Sequence, residues 1–290
     1  MIVPPYLQPG DLVALVATAR KMSVDECAPA VAWLEAQGYR VRLGSSIGKA
    51  DRQFAGTDAE RLCDLQAQLD DPAVRAILCA RGGYGTVRLI DGVDWRGFDA
   101  HPKWICGFSD ITVLHAALQS RGYASIHSAM PVNFKDEADA QSSFNSLLQA
   151  LRGDAMTYKL EHGSWRRGSR MEGPVMGGNL SVLYSLLGSS TLPDFKDQLL
   201  FLEDLDEYLY HLDRMMQALR RAGKLEGLAG LVVGGLTQMN DNAIGFGRTA
   251  EEIVFEAVAA YDYPVIFGFP AGHQPLNLAM RMGMPLHLQK

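Results

Sequence analysis

Between residues 11 and 120 the sequence repeats one alternation: a short, almost wholly apolar run, then a longer segment whose apolar residues recur at helical spacing. The runs are 11–17 (DLVALVA), 39–43, 73–79 (AVRAILC) and 104–108, and the helical segments are 23–38, 57–69 and 110–120. Runs this short and this apolar are strands needing cover on both faces, which amphipathic helices supply. The rhythm therefore dictates βαβ units around a parallel sheet. Ser23 stands where an N-cap is expected and Gly38 lies just past the end of the same helix. Parallel order brings the loops at the strands' C-terminal ends to one edge, where α/β proteins gather their sites.

After residue 135 the texture changes. Residues 135–172 contain KDEADAQ and HGSWRRGSR, which are polar and lack a sustained period, and read as a crossover. A second α/β pattern follows. Gly177 and Gly178 precede a helix-like NLSVLYSLLGS, a strand is expected at 199–202 and an amphipathic helix at 208–222. Strands at 228–236 and 264–269 enclose a helix at 250–261. The 290 residues divide into an N-terminal α/β domain (1–150), a link (151–170) and a C-terminal domain (171–290).

The composition narrows the partners. A net charge of −6 with no Lys/Arg cluster argues against nucleic acid and anionic membrane. No run approaches the about 18 apolar residues of a membrane span, and the first twenty residues lack the basic start and cleavage site of a signal peptide. The four cysteines, Cys27, Cys63, Cys79 and Cys106, are widely spaced without CxxC. They are expected to be buried free thiols of a cytoplasmic protein rather than disulfides or zinc ligands.

Four expected strand ends carry candidate chemistry. At Gly107-Phe108-Ser109-Asp110 a strand turns into a helix. Ser109 is either a helix cap or a nucleophile with helix-start amides aimed at a developing oxyanion. The loop Arg81-Gly82-Gly83-Tyr84-Gly85 is a tight turn, a phosphate cradle of no standard spacing, or a donor of further oxyanion amides. At Glu203-Asp204-Leu205-Asp206-Glu207 an apolar strand ends in a burst of carboxylates, a solvated helix start or a metal site. Glu203, directly at the strand's end, is the one placed to orient an imidazole. The loop Gly268–His273 puts a histidine beyond the last long strand, where a general base would be held. His127 follows a short strand and is placed to line the same region. Together a serine, an acid, a histidine and a Gly-rich loop make the components of a serine hydrolase in the order Ser…Glu…His.

The segments ARGGYGTVRLID, GFSDIT, GGNLSVL, LFLEDLDEYLYHLDRMM, VVGGL and FGFPAGH, in that order, resemble the serine LD-carboxypeptidase family. That family comprises the murein tetrapeptide carboxypeptidases and the related microcin C self-immunity peptidases. The likeness runs over residues 10–283. It implies a Rossmann-like or flavodoxin-like parallel N-terminal domain carrying the nucleophile, and a barrel-like, swivelling β/α C-terminal domain carrying acid and base. Ser109 becomes the nucleophile, Glu203 the orienting acid and His273 the base, with backbone amides of Gly83 and Asp110 as oxyanion donors. Arg81, Gly82, Tyr84 and His127 are further candidate substrate contacts, and Arg81 either grips the substrate carboxylate with its guanidinium or sits in a structural ion pair. The resemblance also implies no metal or cofactor, a homodimer, and release of a terminal D-alanine from a murein tetrapeptide in the cytoplasm during wall recycling.

Three other readings compete. One is an immunity-type peptidase acting on a peptidyl-nucleotide antibiotic, with Trp165 as a surface to stack the base. Another is a muropeptide-binding protein without activity, and the third a nucleotide-binding protein that uses Arg81–Gly85 for phosphate.

Overall fold

The structure, a computed structural model, describes residues 1–160 and 163–290; His162 of the polar crossover lies outside the described residues. The first sheet grows from β1 (Leu12–Val16), β2 (Arg40–Leu43), β3 (Val74–Cys79), β4 (Trp104–Gly107) and β5 (Ser125–His127). These run parallel in the order β2-β1-β3-β4-β5, the flavodoxin-like arrangement. Helices α1 (Val24–Ala36), α2 (Asp58–Asp70), α3 (Arg96–Ala100), α4 (Thr112–Ser120) and α5 (Ala138–Arg152) accompany it. Because side chains alternate along a strand, Val13 and Leu15 pack with Leu34, Phe144 and Leu147. Leu12, Ala14 and Val16 pack on the other face with Leu65, Leu69 and Leu114. This is why β1 reads as an unbroken apolar run. Both α1 and α2 start with a reciprocal capping box, Ser23 with Glu26 and Thr57 with Glu60, each contributing about 1 kcal/mol.

Residues 135–172 are more structured than their composition suggests, for α5 and β6 (Ser164–Arg167) lie within them. The helix was hidden because its buried face includes serines. Ser143 Oγ and Ser146 Oγ accept hydrogen bonds from the backbone amides of Asn277 (2.9 Å) and Ala279 (2.8 Å). A polar anchor for a distant loop thus replaces apolar residues in the period.

The second sheet contains β7 (Arg170–Asn179), β8 (Leu199–Leu205), β9 (Gly230–Thr237) and β10 (Val265–Phe267) as a parallel core. Strand β6 pairs antiparallel with β10 at one edge, and β12 (Pro285–Gln289) with β7 at the other. Helices α6 (Leu180–Ser185), α7 (Leu209–Arg221) and α8 (Ala250–Ala257) cover one face through Leu183, Leu212, Met216 and Val254. Only Gly168 and Ser169 separate β6 from β7, which stand far apart in the sheet order. So short a link spans about 11 Å at most. The sheet must curl until its sides approach, which gives the barrel-like form. The segment 171–290 also reaches into the first sheet, where β11 (Met280–Met282) pairs antiparallel with β5.

The two units are pinned together beside the nucleophile candidate. The Asn179 amide donates to Thr112 Oγ1 at 3.0 Å, and Asn179 Nδ2 donates to Asp204 Oδ1 at 2.9 Å. A side chain on Gly178 would come within 2.5 Å of Thr112 Oγ1, so glycine is what lets β7 touch the first turn of α4. No described helix is long and apolar enough to cross a membrane. Cys27, Cys79 and Cys106 are buried free thiols as expected, but Cys63 is exposed, because it falls on the solvent side of α2.

Candidate active site

Ser109 stands at the corner that the sequence singled out. The strand stops at Gly107, and a single 3-10 turn, Ser109–Ile111, precedes α4 rather than a continuous helix from Asp110. The N-cap position of that turn falls to Phe108, so Ser109 is not its cap. The φ of Ser109 is +63°, in the left-handed region, which costs a residue with a Cβ about 1–2 kcal/mol. A strained serine at a strand end, buried except where it lines a cleft, suits a nucleophile.

The glycine loop follows β3, the neighbour of β4, so it lies beside Ser109. A methyl on Gly82 would sit 3.0 Å from Ser109 Cβ and 3.1 Å from its Oγ. Gly82 therefore forms the wall against which Ser109 rests. Gly82→Ala is expected to displace the hydroxyl and lower kcat by about 10²-fold with little change in thermal midpoint, a pairing that activity assays and thermal melts would check.

Asp110 contributes more than its amide. Its carboxylate is buried and accepts from the Thr86 amide at 2.8 Å. Burial pushes its pKa up, against the bonds from Thr86 and Gly85 that favour the charge. Arg61, also buried, donates to the carbonyls of Thr18 and Gly85. The loop is thus tied from both sides, a role of the Asp110 side chain that the sequence did not suggest.

Glu203 and His273 meet across a loop. Strand β8 runs on to Leu205, so Glu203 and Asp204 lie inside it rather than beyond its end. Glu203 Oε2 accepts from His273 Nδ1 at 2.6 Å and from the His273 amide at 3.0 Å. Thr237 Oγ1 donates to the His273 carbonyl at 2.7 Å, which fixes the backbone of the loop. A carboxylate can only accept, so Nδ1 carries the proton and Nε2 of the neutral ring keeps its lone pair. Burial opposes both charges, raising Glu203 and lowering His273, but their bond and mutual attraction win. Glu203 ends below the usual carboxylate range and His273 above the usual histidine value.

Ser109 and His273 line one cleft of ≈ 640 Å³ together with Arg20, Arg81 and Gly83. The structure makes the Glu203–His273 bond but no Ser109–His273 hydrogen bond among the described residues, a contact that such sites commonly close only around substrate. A second cavity of ≈ 400 Å³ meets the first at Phe108, Asn133, Leu205 and His273.

The burst of carboxylates after Leu202 splits among separate partners. Asp204 accepts from Asn179 Nδ2 and the Ser181 amide, and burial beside Glu203 pushes its pKa up to about 7. Asp206 accepts from Asn240, and Glu207 pairs with His211.

Not every expected contact faces the cleft. Arg81, Gly82 and Gly83 line it, but Tyr84 turns away to pack against Phe54, with ring centroids 6.1 Å apart. His127 is fully buried, with Nε2 at 3.2 Å from Asn277 Oδ1 and its ring against Phe108 and Phe201. Burial pushes its pKa down to about 4. It backs the site rather than lining it, because Phe108 and, from the second sheet, Phe201 enclose its ring. Trp165 lies elsewhere, in a cavity with Tyr158 and Leu160.

The model of the LD-carboxypeptidase N-terminal domain matches residues 13–128, and that of the LD-carboxypeptidase C-terminal domain matches residues 172–288. A probable murein peptide carboxypeptidase of Bacillus subtilis is 33% identical over 287 residues, covering 97% of this chain and 89% of the relative. The murein tetrapeptide carboxypeptidase of Pseudomonas aeruginosa is 30% identical over 281 residues, covering 93% and 91%. Among solved structures, the microcin immunity protein MccF in complex with glutamyl sulfamoyl guanosine superposes with a TM-score of 0.89 at 20% identity, covering 99% of this chain and 98% of that one. The last comparison bears on the fold alone. The chain belongs to the LD-carboxypeptidase family and is a serine-type carboxypeptidase.

Proposed function

We propose that the protein releases the terminal D-alanine from a murein tetrapeptide, with Ser109 as nucleophile, His273 as base and Glu203 as its orienting acid. The observation that carries this reading is the buried Glu203–His273 pair facing the same cleft as the strained Ser109. Ser109 Oγ attacks the scissile carbonyl while His273 Nε2 takes its proton. The amides of Gly83 and Asp110 stabilise the oxyanion. His273 then protonates the leaving amine, and water, activated by the same imidazole, resolves the acyl-enzyme. Two relatives that match nearly the whole chain at 30% identity or more carry names of murein peptide carboxypeptidases, which supports this substrate over an antibiotic one. Trp165, the residue suggested for stacking a base, lines a different cavity. The enzyme works on short peptides as a cytoplasmic homodimer in wall recycling. Incubating it with diaminopimelate-containing tetrapeptide should release D-alanine. No release under conditions where the protein is folded would overturn the proposal.

A further inference from the structure

We propose that Arg20 grips the terminal carboxylate of the substrate, so that this side chain makes the site an exopeptidase. The assignment rests on the peptidase reading above. An exopeptidase must recognise a free carboxylate on the residue that leaves. Two bonds, N–Cα and Cα–C, separate the scissile amide nitrogen from that carboxylate. The carboxylate carbon therefore lies within about 4 Å of the scissile carbonyl carbon, and its cation must stand close to the oxyanion donors.

Arg20 meets this requirement through the strand order. It follows β1, the glycine loop follows β3 and Ser109 follows β4, and these three strands are neighbours. The Arg20 amide reaches the Gly82 carbonyl at 3.4 Å. Its side chain then crosses Gly83: a methyl built there would lie 2.6 Å from Arg20 Cδ and 2.8 Å from Nε. Arg20 lines the cleft with Ser109 and His273. Its exposed guanidinium enters no ion pair among the described residues. An unpaired planar fork beside the oxyanion loop suits bidentate capture of a carboxylate.

The other cations fit less well. Arg81 also lines the cleft, but it is the Arg20 side chain, not that of Arg81, that crosses the glycine at the oxyanion loop. Lys135 belongs to the adjoining cavity, beyond Phe108 and His273, with Glu137 in the same lining.

The test compares the tetrapeptide with its C-terminal amide, measuring kcat and KM for wild type, Arg20→Met, Arg20→Lys and Arg81→Met. Wild type should prefer the free acid by about 10–100-fold, the worth of a hydrogen bond to a charged group. Arg20→Met should lose that factor on the acid, chiefly through KM, bringing acid and amide to similar kcat/KM, while a thermal midpoint equal to that of wild type shows that it is folded. Arg20→Lys should recover part of the preference, and Arg81→Met should keep it. Equal losses on acid and amide would make Arg20 a prop for Gly83 and overturn the assignment, as would collapse of the preference in Arg81→Met or an Arg20→Met indistinguishable from wild type. Wild type inactive on both substrates would overturn the peptidase reading and this assignment with it.

Discussion

Ser109→Ala is expected to lower kcat by about 10⁴–10⁶-fold, leaving the weak acceleration that binding and oxyanion amides alone provide. The variant should melt with the wild type, because alanine keeps the Cβ and therefore the cost of φ = +63°. Ser109→Gly separates chemistry from strain. It should be equally inactive, yet more stable by about 1 kcal/mol, since glycine adopts the left-handed region without penalty. Steady-state assays of D-alanine release and denaturant melts of both variants check the pair. A glycine variant no more stable than the alanine one would mean that the corner holds no strain.

The second large effect is at Glu203. Glu203→Gln should lower kcat by about 10³–10⁴-fold, because glutamine holds the ring without favouring the Nδ1–H tautomer or its protonated form. The pH profile should change as well. In the wild type His273 titrates above its ordinary value, since the bond and charge of Glu203 outweigh burial. The base must be neutral to accept a proton, so kcat/KM should rise with pH through a limb above 6.5. Without the Glu203 bond and charge, burial acts on the imidazolium against only the weaker pull of Asp204 and moves that limb to lower pH. A profile of kcat/KM against pH for the two proteins reads the shift. An unmoved limb would assign the titration to another group.

Much of this arrangement was legible in the residues because it is local. The apolar runs, the Ser23 cap of α1, and the serine, glutamate and histidine at or near strand ends each announce themselves within a few positions. What was missed depends on contacts distant in sequence. Arg20 carries no motif, and only the adjacency of β1 and β3 brings it to Gly83. The buried serines of α5 broke its apolar period because they anchor a loop more than a hundred residues away. Asp110 reads as a helix-start acid, but its carboxylate serves the loop after β3. His127 was expected to follow a short strand and line the site, yet it ends β5 and its ring is enclosed by Phe108 and, from the second sheet, Phe201. Tyr84 stands outside the cleft lining for a related reason, since its ring packs against Phe54, thirty positions earlier.

The central claim is that Ser109 carries the acyl group. Acid-quenching the enzyme during turnover of the tetrapeptide, followed by mass mapping of the digest, tests this most directly. The account predicts a tripeptidyl ester on the peptide that contains Ser109, absent from Ser109→Ala, which also releases no D-alanine on the wild-type time scale. An adduct on another residue, or D-alanine release by Ser109→Ala at the wild-type rate, would contradict it.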